Sequence, residues 1–231
     1  MSARLAPIRD LDTLVRTRLA WHSVAEHVLA AARYAAEQRI GLVVVPGGFA
    51  TPRTPDGGSA RIHGAQLVVR RGEGERTFPL TTLASAAAAL GIAPGCMPVY
   101  TPTTELRADA PLDVDLDAAA VLGAWFQLGW SVLEELADGP TLWPEHFDAA
   151  VDLGDLAAGT RGTFGASPGD TAHPEPYLYV THWVDLGDDP YWNDAAFPGA
   201  SLTYGTVARA ADPVAAAREF YARGRIVLSR R

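Results

Sequence analysis

Residues 142–154 hold the side-chain types that general acid–base or metal chemistry requires. Apolar residues recur at every second position from 147 to 153, which predicts a β-strand with one buried face. His146, Asp148 and Asp152 would project from the opposite face, because alternate side chains on a strand point the same way. An imidazole and two carboxylates on one face can share a proton or bind a metal ion. Pro144 restricts the strand to a sheet edge or to a start after that residue.

A second group of candidate residues lies beside a predicted strand over residues 176–184. His173, Glu175 and Tyr177 occur there, and three of the six histidines fall between positions 146 and 182. We therefore predict a site on the sheet of the second half that binds a small molecule or acts on it as an enzyme. The predicted site residues are His146, Asp148, His173, Glu175 and Tyr177. One histidine would act as general base, the carboxylates would orient it, and Tyr177 would donate a hydrogen bond.

The same residues allow two other interpretations. A divalent metal ion could be the cofactor, with His146, Asp148, Asp152 and His173 as ligands, although no HExxH, HxH or HxxxH spacing occurs. Histidines and aspartates at strand ends also satisfy backbone groups in loops without any function in binding. The sequence leaves the choice between these interpretations open.

Residues 165–169 match the G-x-S-x-G pattern of serine hydrolases, but their neighbours argue against that function. The oxyanion hole of that motif uses the backbone N–H of the residue after the serine, and Pro168 has none. Gly169 and Asp170 favour a turn where the motif requires a helix. We therefore do not expect Ser167 to be a nucleophile.

Several other polar and aromatic residues allow both structural and functional interpretations. His22 and Glu26 lie four residues apart on the first predicted helix, which is typical of a surface pair rather than a ligand set. Tyr177, Tyr179 and Trp183 share one face of their strand. They would either form the wall of a pocket or belong to the core.

Composition limits the class of protein. With 231 residues, of which 48% are hydrophobic and 20% charged, the chain is typical of a globular protein and long enough for a large core. The single cysteine, Cys96, excludes an internal disulfide. The first residues lack the apolar region of a signal peptide, and no stretch approaches the roughly 20 apolar residues that span a membrane. We therefore expect a cytoplasmic protein without a membrane partner.

Acidic residues are concentrated in the middle of the chain. Residues 103–200 carry 18 aspartates and glutamates against two arginines, whereas both flanking segments are net positive. Such a segment repels phosphate backbones, so we expect no nucleic-acid partner. It suits a metal, another cation or a basic protein surface. The alternative function is therefore a non-catalytic interaction module, in which the acidic segment meets the basic flanks of another copy in a homo-oligomer, or a basic partner.

Hydrophobic periodicity and end signals predict an α+β protein. Helices are predicted over residues 11–38, from Thr81 or Thr82 to before Gly91, from Asp115 or Asp117 to about 136, and from Pro213 to near Ala222. Strands are predicted over residues 40–45, 60–70, 75–80, 142–153, 160–166 and 176–184. Strict alternation of strands and helices is absent, which favours an antiparallel sheet packed with helices.

The order of the predicted elements repeats in two halves. Residues 1–93 and 112–231 each run helix, strands, helix, and a Pro-rich connector over residues 94–111 joins them. Residues 47–52 also resemble residues 162–168, which would fit a duplication. We nevertheless predict that residues 1–231 form a single compact unit.

Three segments of the second half form a specific set: LWPEHFD (residues 142–148), ASPGD (166–170) and PEPYLYV (174–180). They resemble a family of uncharacterised bacterial proteins that is common in actinobacteria. The likeness is strongest over residues 140–205 and weaker around residues 47–52. The family has no established activity, so the resemblance implies membership without a mechanism or a set of catalytic residues.

Overall fold

Ten β-strands form two antiparallel sheets of five strands each within the residues that the computed structural model describes, 5–95, 98–184, 187 and 189–230. Neighbouring strands in each sheet follow one another along the chain, so each sheet is a series of hairpins. The helices pack against these sheets, and the predicted α+β class with antiparallel sheet is confirmed. Cys96 lies outside the described residues.

The chain begins with one long helical segment that changes its hydrogen-bonding pattern part of the way along. Asp10 caps α1 (Leu11–Val24). A π-helical segment (Ala25–Ala30) follows, and α2 (Ala31–Glu37) completes the helix. The helix predicted over residues 11–38 is therefore confirmed, but its π-helical segment is not foreseen by the sequence pattern.

The first sheet occupies the first half of the chain. Its strands are β1 (Val43–Val45), β2 (Gly48–Ala50), β3 (Ser59–His63), β4 (Gln66–Arg71) and β5 (Gly74–Pro79). Helix α3 (Leu83–Leu90) follows, with Thr82 as N-cap and Gly91 in the left-handed conformation, as predicted. The single strand predicted over residues 60–70 is instead the hairpin β3–β4, since Gly64 turns the chain with a φ of +56°.

The second sheet and its helices form the second half. The elements are α4 (Leu116–Leu136), β6 (Thr141–Trp143), β7 (Asp148–Leu153), β8 (Gly162–Ser167), β9 (Tyr177–His182), β10 (Gly199–Thr203), α5 (Tyr204–Arg209) and α6 (Pro213–Leu228). Asp115 caps α4, and Asp212 caps α6. Strands β2 and β10 and helix α5 are not among the predicted elements, because each is too short for its periodicity to stand out.

The single strand predicted over residues 142–153 is wrong, because a turn separates β6 from β7. Phe147 ends this turn with a left-handed φ of +53°. His146 therefore lies in the turn, and only Asp148 and Asp152 lie on the strand. The left-handed residue interrupts the alternation on which the prediction for His146 depended.

A reciprocal pair of hydrogen bonds joins the two sheets near their first strands. The N–H of Leu42 donates to the carbonyl of Leu142 at 2.8 Å, and the N–H of Leu142 donates to the carbonyl of Leu42 at 2.9 Å.

Each half of the chain has the predicted order of helix, strands and helix. Residues 47–52 and 162–168 lie on the second strand of one sheet and the third strand of the other, so their likeness does not mark equivalent positions.

Helix α4 forms the centre of the hydrophobic core. Its apolar residues occur on nearly all sides, and Leu122, Trp125 and Phe126 are fully buried. It packs against strands of both sheets and against α1 and α6. Contrary to the expectation from the sequence, its length and composition would suffice to cross a membrane, but 67% of its most apolar stretch is buried within the fold.

Two glycines allow α4 to approach its neighbours closely. A Cβ atom at Gly123 would lie 3.0 Å from the backbone of Gly47. A Cβ atom at Gly129 would lie 2.3 Å from the Cβ of Ala166 on β8. Helix α4 can therefore keep this distance from β8 only while position 129 carries no side chain.

We expect Gly129→Ala to lower the free energy of unfolding. The added methyl group must displace α4 from β8, and such overpacking costs about 1–3 kcal/mol. Alanine favours a helix over glycine by about 1 kcal/mol, which offsets part of this loss. Urea unfolding measures the balance, with Glu134→Ala at an exposed position of the same helix as control. A variant at position 129 that is more stable than the parent would contradict the close packing.

Candidate functional site

A cavity of about 490 Å³, here called the α1 cavity, lies between α1 and the second sheet. Its walls include α1, the connector between the halves, the β6–β7 turn, strands β7 to β9 and the loop after β8. The ionisable residues in these walls are Arg18, His22, Glu145, His146, Asp148, Asp170, Tyr177 and Tyr179. A larger cavity of about 920 Å³ lies between α4 and the first sheet, but no described Asp, Glu or Arg lines it.

Asp148 places a buried carboxyl group in the wall of the α1 cavity. Only 6% of the residue is exposed. The Tyr179 hydroxyl donates a hydrogen bond to Oδ2, whereas Oδ1 accepts none from any described residue. Burial raises the pKa of Asp148 to about 6, and the Tyr179 hydrogen bond and the charge of His146 oppose this rise. The carboxyl group therefore changes its protonation state close to neutral pH.

Gly165 allows Tyr179 to reach Asp148 across an intervening strand. Gly165 on β8 pairs with Tyr179 on β9 and with Ala150 on β7. A Cβ atom at position 165 would lie 2.3 Å from the Tyr179 ring. The ring therefore covers the glycine, and its hydroxyl extends to the neighbouring strand β7.

Three aromatic rings form one wall of the α1 cavity. The ring centroids of Tyr177, Tyr179 and Phe197 are 6.1 to 6.3 Å apart. The Tyr177 hydroxyl donates to Asp170 at 2.5 Å. Burial acts to raise the pKa of Asp170, but hydrogen bonds from Tyr177 and from the backbone outweigh it and lower the pKa. This aromatic wall is thus attached to a carboxylate that stays ionised.

His173 supports the aromatic wall from behind. Its ring centroid lies 4.6 Å from that of Tyr177, and it also contacts Phe197. Its Nε2 lies 2.9 Å from Oδ2 of Asp194, a side chain that is almost fully buried. His173 therefore positions Tyr177 and does not itself line the α1 cavity.

Arg18 holds the loop that follows β8. Its guanidinium donates to the carbonyl of Pro174 at 2.9 Å and to the carbonyl of Asp170 at 3.3 Å. Gly169 makes room for it, since a Cβ atom there would lie 2.4 Å from the guanidinium. Burial lowers the pKa of Arg18, and the charge of Asp170 opposes the change. Two of the guanidinium donors are thereby committed to the loop.

The π-helical segment carries a buried acid that binds the connector. Glu26 is fully buried and accepts hydrogen bonds from the backbone N–H groups of Thr103 and Thr104, both at 2.9 Å. The Thr103 hydroxyl lies 2.9 Å from the carbonyl oxygen of Glu145 in the β6–β7 turn. This contact supports the turn that leads to Asp148. The position of the π-helical segment beside the cavity is in keeping with the frequent occurrence of such segments at functional sites.

His22 contacts the same turn from α1. Its Nε2 lies 2.8 Å from the carbonyl oxygen of Pro144, and its ring stacks on Phe147 with centroids 5.1 Å apart. Burial lowers the pKa of His22, although nearby Glu26 opposes the change. The neutral ring must donate from Nε2 to the carbonyl, so its lone pair lies on Nδ1. The predicted pair between His22 and Glu26 is present, with Nε2 and Oε2 3.8 Å apart, but it does not lie on the surface, because Glu26 is fully buried and the His22 side chain is mostly covered.

The structure brings three of the five predicted site residues together. His146, Asp148 and Tyr177 line the α1 cavity. His173 lies one layer behind Tyr177, as described above. Glu175 lines a different cavity beside α5, because the chain bends at this residue before β9 begins. The prediction therefore has to be corrected at Glu175 and, in part, at His173.

The four predicted metal ligands do not converge on one point. Asp152 lies four residues along β7 from Asp148, or about 13 Å at about 3.3 Å per residue. It pairs instead with Arg161 at 2.9 Å. Among the described residues, no group of three or more His, Cys, Asp or Glu side chains is arranged to hold a metal ion. The predicted metal site is therefore wrong in its ligand set, which was His146, Asp148, Asp152 and His173.

Several residues of the α1 cavity are not among those predicted from the sequence. Arg18, Thr103 and Phe197 come from a helix, the connector and a loop that are distant from Asp148 in the chain. No local pattern indicates that they meet. Tyr179 was recognisable, since it shares a strand face with Tyr177 and a pocket wall was one of the two interpretations of that face.

Ser167 has a structural position at the end of β8. Pro168 follows, and no helix starts directly after it. The Ser167 hydroxyl oxygen accepts a hydrogen bond from the N–H of Gly169 at 3.1 Å. This arrangement lacks the strand–turn–helix geometry of a hydrolase nucleophile, as expected from the sequence.

The acidic middle of the chain forms ion pairs with the basic flanks of the same chain. The pairs are Arg9–Asp117, Arg16–Asp113, Arg218–Glu135 and Arg230–Asp189. Most of these side chains are well exposed, so each pair contributes little to stability. The charge asymmetry of the sequence is nevertheless balanced in part within one molecule.

No family model, curated protein or solved structure matches the chain. The resemblance of its second half to a bacterial family stays a prediction. The chemistry of the α1 cavity therefore has to be inferred from the residues that form it.

We expect the free energy of unfolding to decrease as the pH rises from about 4 to about 7, because of Asp148. Its pKa rises from 3.8 to about 6 on folding, so its stabilising contribution is complete below the unfolded pKa and is lost as the pH rises through the folded pKa. This difference corresponds to about 3 kcal/mol. In Asp148→Asn the contribution is absent, so the variant should gain stability relative to the parent over this range.

Urea unfolding at several pH values measures this difference. Asp152→Asn is the matched control, because Asp152 lies on the same strand but is exposed and paired with Arg161. Its stability relative to the parent should vary much less with pH. A difference between Asp148→Asn and the parent that is constant with pH would show that the carboxyl group is not buried as described.

We expect Glu26→Ala to lower the free energy of unfolding by at least about 2 kcal/mol. The substitution removes a fully buried side chain that accepts hydrogen bonds from two backbone N–H groups of the connector. Each lost hydrogen bond costs about 0.5–1.5 kcal/mol, and the cavity left at the buried position adds to the loss. Glu37→Ala in the same helical segment removes only a partly exposed pair with Arg33 and should cost less than about 1 kcal/mol. Equal losses in the two variants, measured by urea unfolding, would refute the role of Glu26.

Proposed function

We propose that the chain binds a small organic molecule in the α1 cavity and that Asp148 is the ionisable group that contacts it. The observation that carries the proposal is the unmet acceptor Oδ1 of this carboxyl group, which is buried in the cavity wall. A buried polar atom without a partner costs about 1–3 kcal/mol, which a hydrogen-bond donor of a ligand would offset.

The size and lining of the α1 cavity support this proposal. Cavities that hold small molecules have volumes of roughly 300–1,000 Å³, and their walls combine aromatic side chains with a few polar groups. The α1 cavity has a volume of about 490 Å³ and combines the aromatic wall with the carboxyl group of Asp148. The neighbouring network of Glu26 and Thr103 holds one side of the cavity in place.

Asp148 also has the properties of a general acid or base. With a pKa of about 6, its carboxyl group can accept or release a proton near neutral pH. If the ligand is a substrate, Asp148 would exchange a proton with it, while the Tyr179 hydroxyl fixes the orientation of the carboxyl group. The proposal therefore covers a binding protein and an enzyme that uses Asp148 in proton transfer.

The alternative function, an interaction module based on the acidic segment, has less support. Four flanking arginines already pair with acidic residues of the segment in the same chain. Fewer charges then remain for assembly with another copy. Size-exclusion chromatography at low and high salt tests the alternative, because an ionic assembly would dissociate at high salt.

A thermal-shift screen with a library of metabolites tests the proposal. We expect compounds that raise the melting temperature of the parent to lose their effect in Asp148→Asn and in Leu19→Trp. Leu19 is about half exposed and lines the α1 cavity, so an indole there would fill the cavity without disturbing the core. Ile226→Trp, at a similarly exposed position on α6, is the matched control and should keep the effect. Stabilising compounds that act equally on all variants would refute the site.

A further inference from the structure

We infer that the ligand of the α1 cavity carries a protonated primary or secondary amine, which binds between the carboxylates of Asp148 and Glu145. This inference rests on the proposed function and names the class of ligand for the same site. Both residues line the α1 cavity. Each also has one carboxylate oxygen, Oδ1 of Asp148 and Oε2 of Glu145, that is buried and accepts no hydrogen bond from a described residue.

A ligand can meet these two unpartnered acceptors only with hydrogen-bond donors. A carboxylate offers only acceptors, so a ligand that meets both oxygens must supply at least two N–H or O–H groups. A primary ammonium group has three N–H donors and a secondary one has two. Because hydrogen bonds between charged partners are roughly twice as strong as neutral ones, an ammonium group satisfies these oxygens better than a hydroxyl group does.

The charges around the α1 cavity also favour a cation. Three carboxylates, of Glu145, Asp148 and Asp170, line it together with one guanidinium, that of Arg18, and the imidazoles of His22 and His146. The guanidinium already donates to two backbone carbonyls of the loop after β8. Glu145 and Asp148 interact unfavourably as like charges, and a cation between them would remove this repulsion.

The aromatic wall provides the remaining contacts that an organic amine would need. Tyr177, Tyr179 and Phe197 line the same cavity as the two carboxylates. An ammonium group within about 6 Å of such rings is attracted to their faces, and the carbon atoms of the ligand pack against them. A bare metal ion would use the carboxylates but would leave this apolar surface uncovered.

Three compounds that share a ring and differ in charge test the inference: benzylammonium, benzyl alcohol and benzoate. Their dissociation constants at about pH 7.5 can be measured by ligand-observed NMR or calorimetry. We expect benzylammonium to bind about tenfold or more tightly than benzyl alcohol, and benzoate to bind least. In Asp148→Asn and Glu145→Gln this preference for the amine should shrink, whereas the Asp152→Asn control, outside the α1 cavity, should keep it. Circular dichroism and thermal unfolding establish that each variant is folded.

The outcomes separate this inference from the proposed function. If benzyl alcohol binds as tightly as the amine and its binding weakens in Asp148→Asn, the ammonium class is wrong but the site stands. If Mg²⁺ or Ca²⁺ alone competes with benzylammonium at submillimolar concentration, a metal rather than an amine is the cation of the site. If none of the three compounds binds, or if Asp148→Asn binds all of them unchanged, both the inference and the site are refuted.

Discussion

Helix α4 is buried on nearly all sides, and the other elements of the fold are arranged to cover it. Such a helix is stable only when apolar neighbours surround it. Both sheets, α1 and α6 supply these neighbours, so neither half of the chain could complete the core by itself. Gly129 sets how closely the second sheet approaches the helix. The hydrogen bonds between Leu42 and Leu142 keep the two sheets joined at their first strands.

The α1 cavity depends on local departures from regular structure. A missing side chain at Gly165 lets Tyr179 lie across β8 and reach Asp148. The π-helical segment places Glu26 against the connector, which in turn contacts the β6–β7 turn. Burial of the Asp148 carboxyl group opposes stability at neutral pH. A fold selected for stability alone would not keep such a group, which is why we regard the arrangement as functional.

The charge distribution has a role within the molecule as well as around the cavity. Arginines at both ends of the chain meet acidic residues of the middle segment, although each exposed pair contributes little by itself. The carboxylates of Asp148 and Glu145 differ from these surface acids, because each retains a buried oxygen without a hydrogen bond from a described residue. The net negative charge of the sequence is therefore less informative than the position of these two residues.

Local signals in the sequence determined most of the helices and part of the sheet structure. The caps Thr82, Asp115 and Asp212 and the apolar pattern of α4 act through neighbours in the chain, so they can be read without a structure. Alternation likewise indicated Asp148 as a site residue, and Tyr177 was indicated by its place at the predicted strand over residues 176–184.

Only the tertiary structure decided which distant residues join Asp148 and Tyr177 in the α1 cavity and which predicted partners lie elsewhere. Arg18 and Thr103 reach the α1 cavity through packing of α1 and the connector, whereas the pitch of β7 carries Asp152 away from it. The protonation behaviour and unmet oxygen of Asp148 also follow from burial, which depends on every element around it and on no single stretch of sequence.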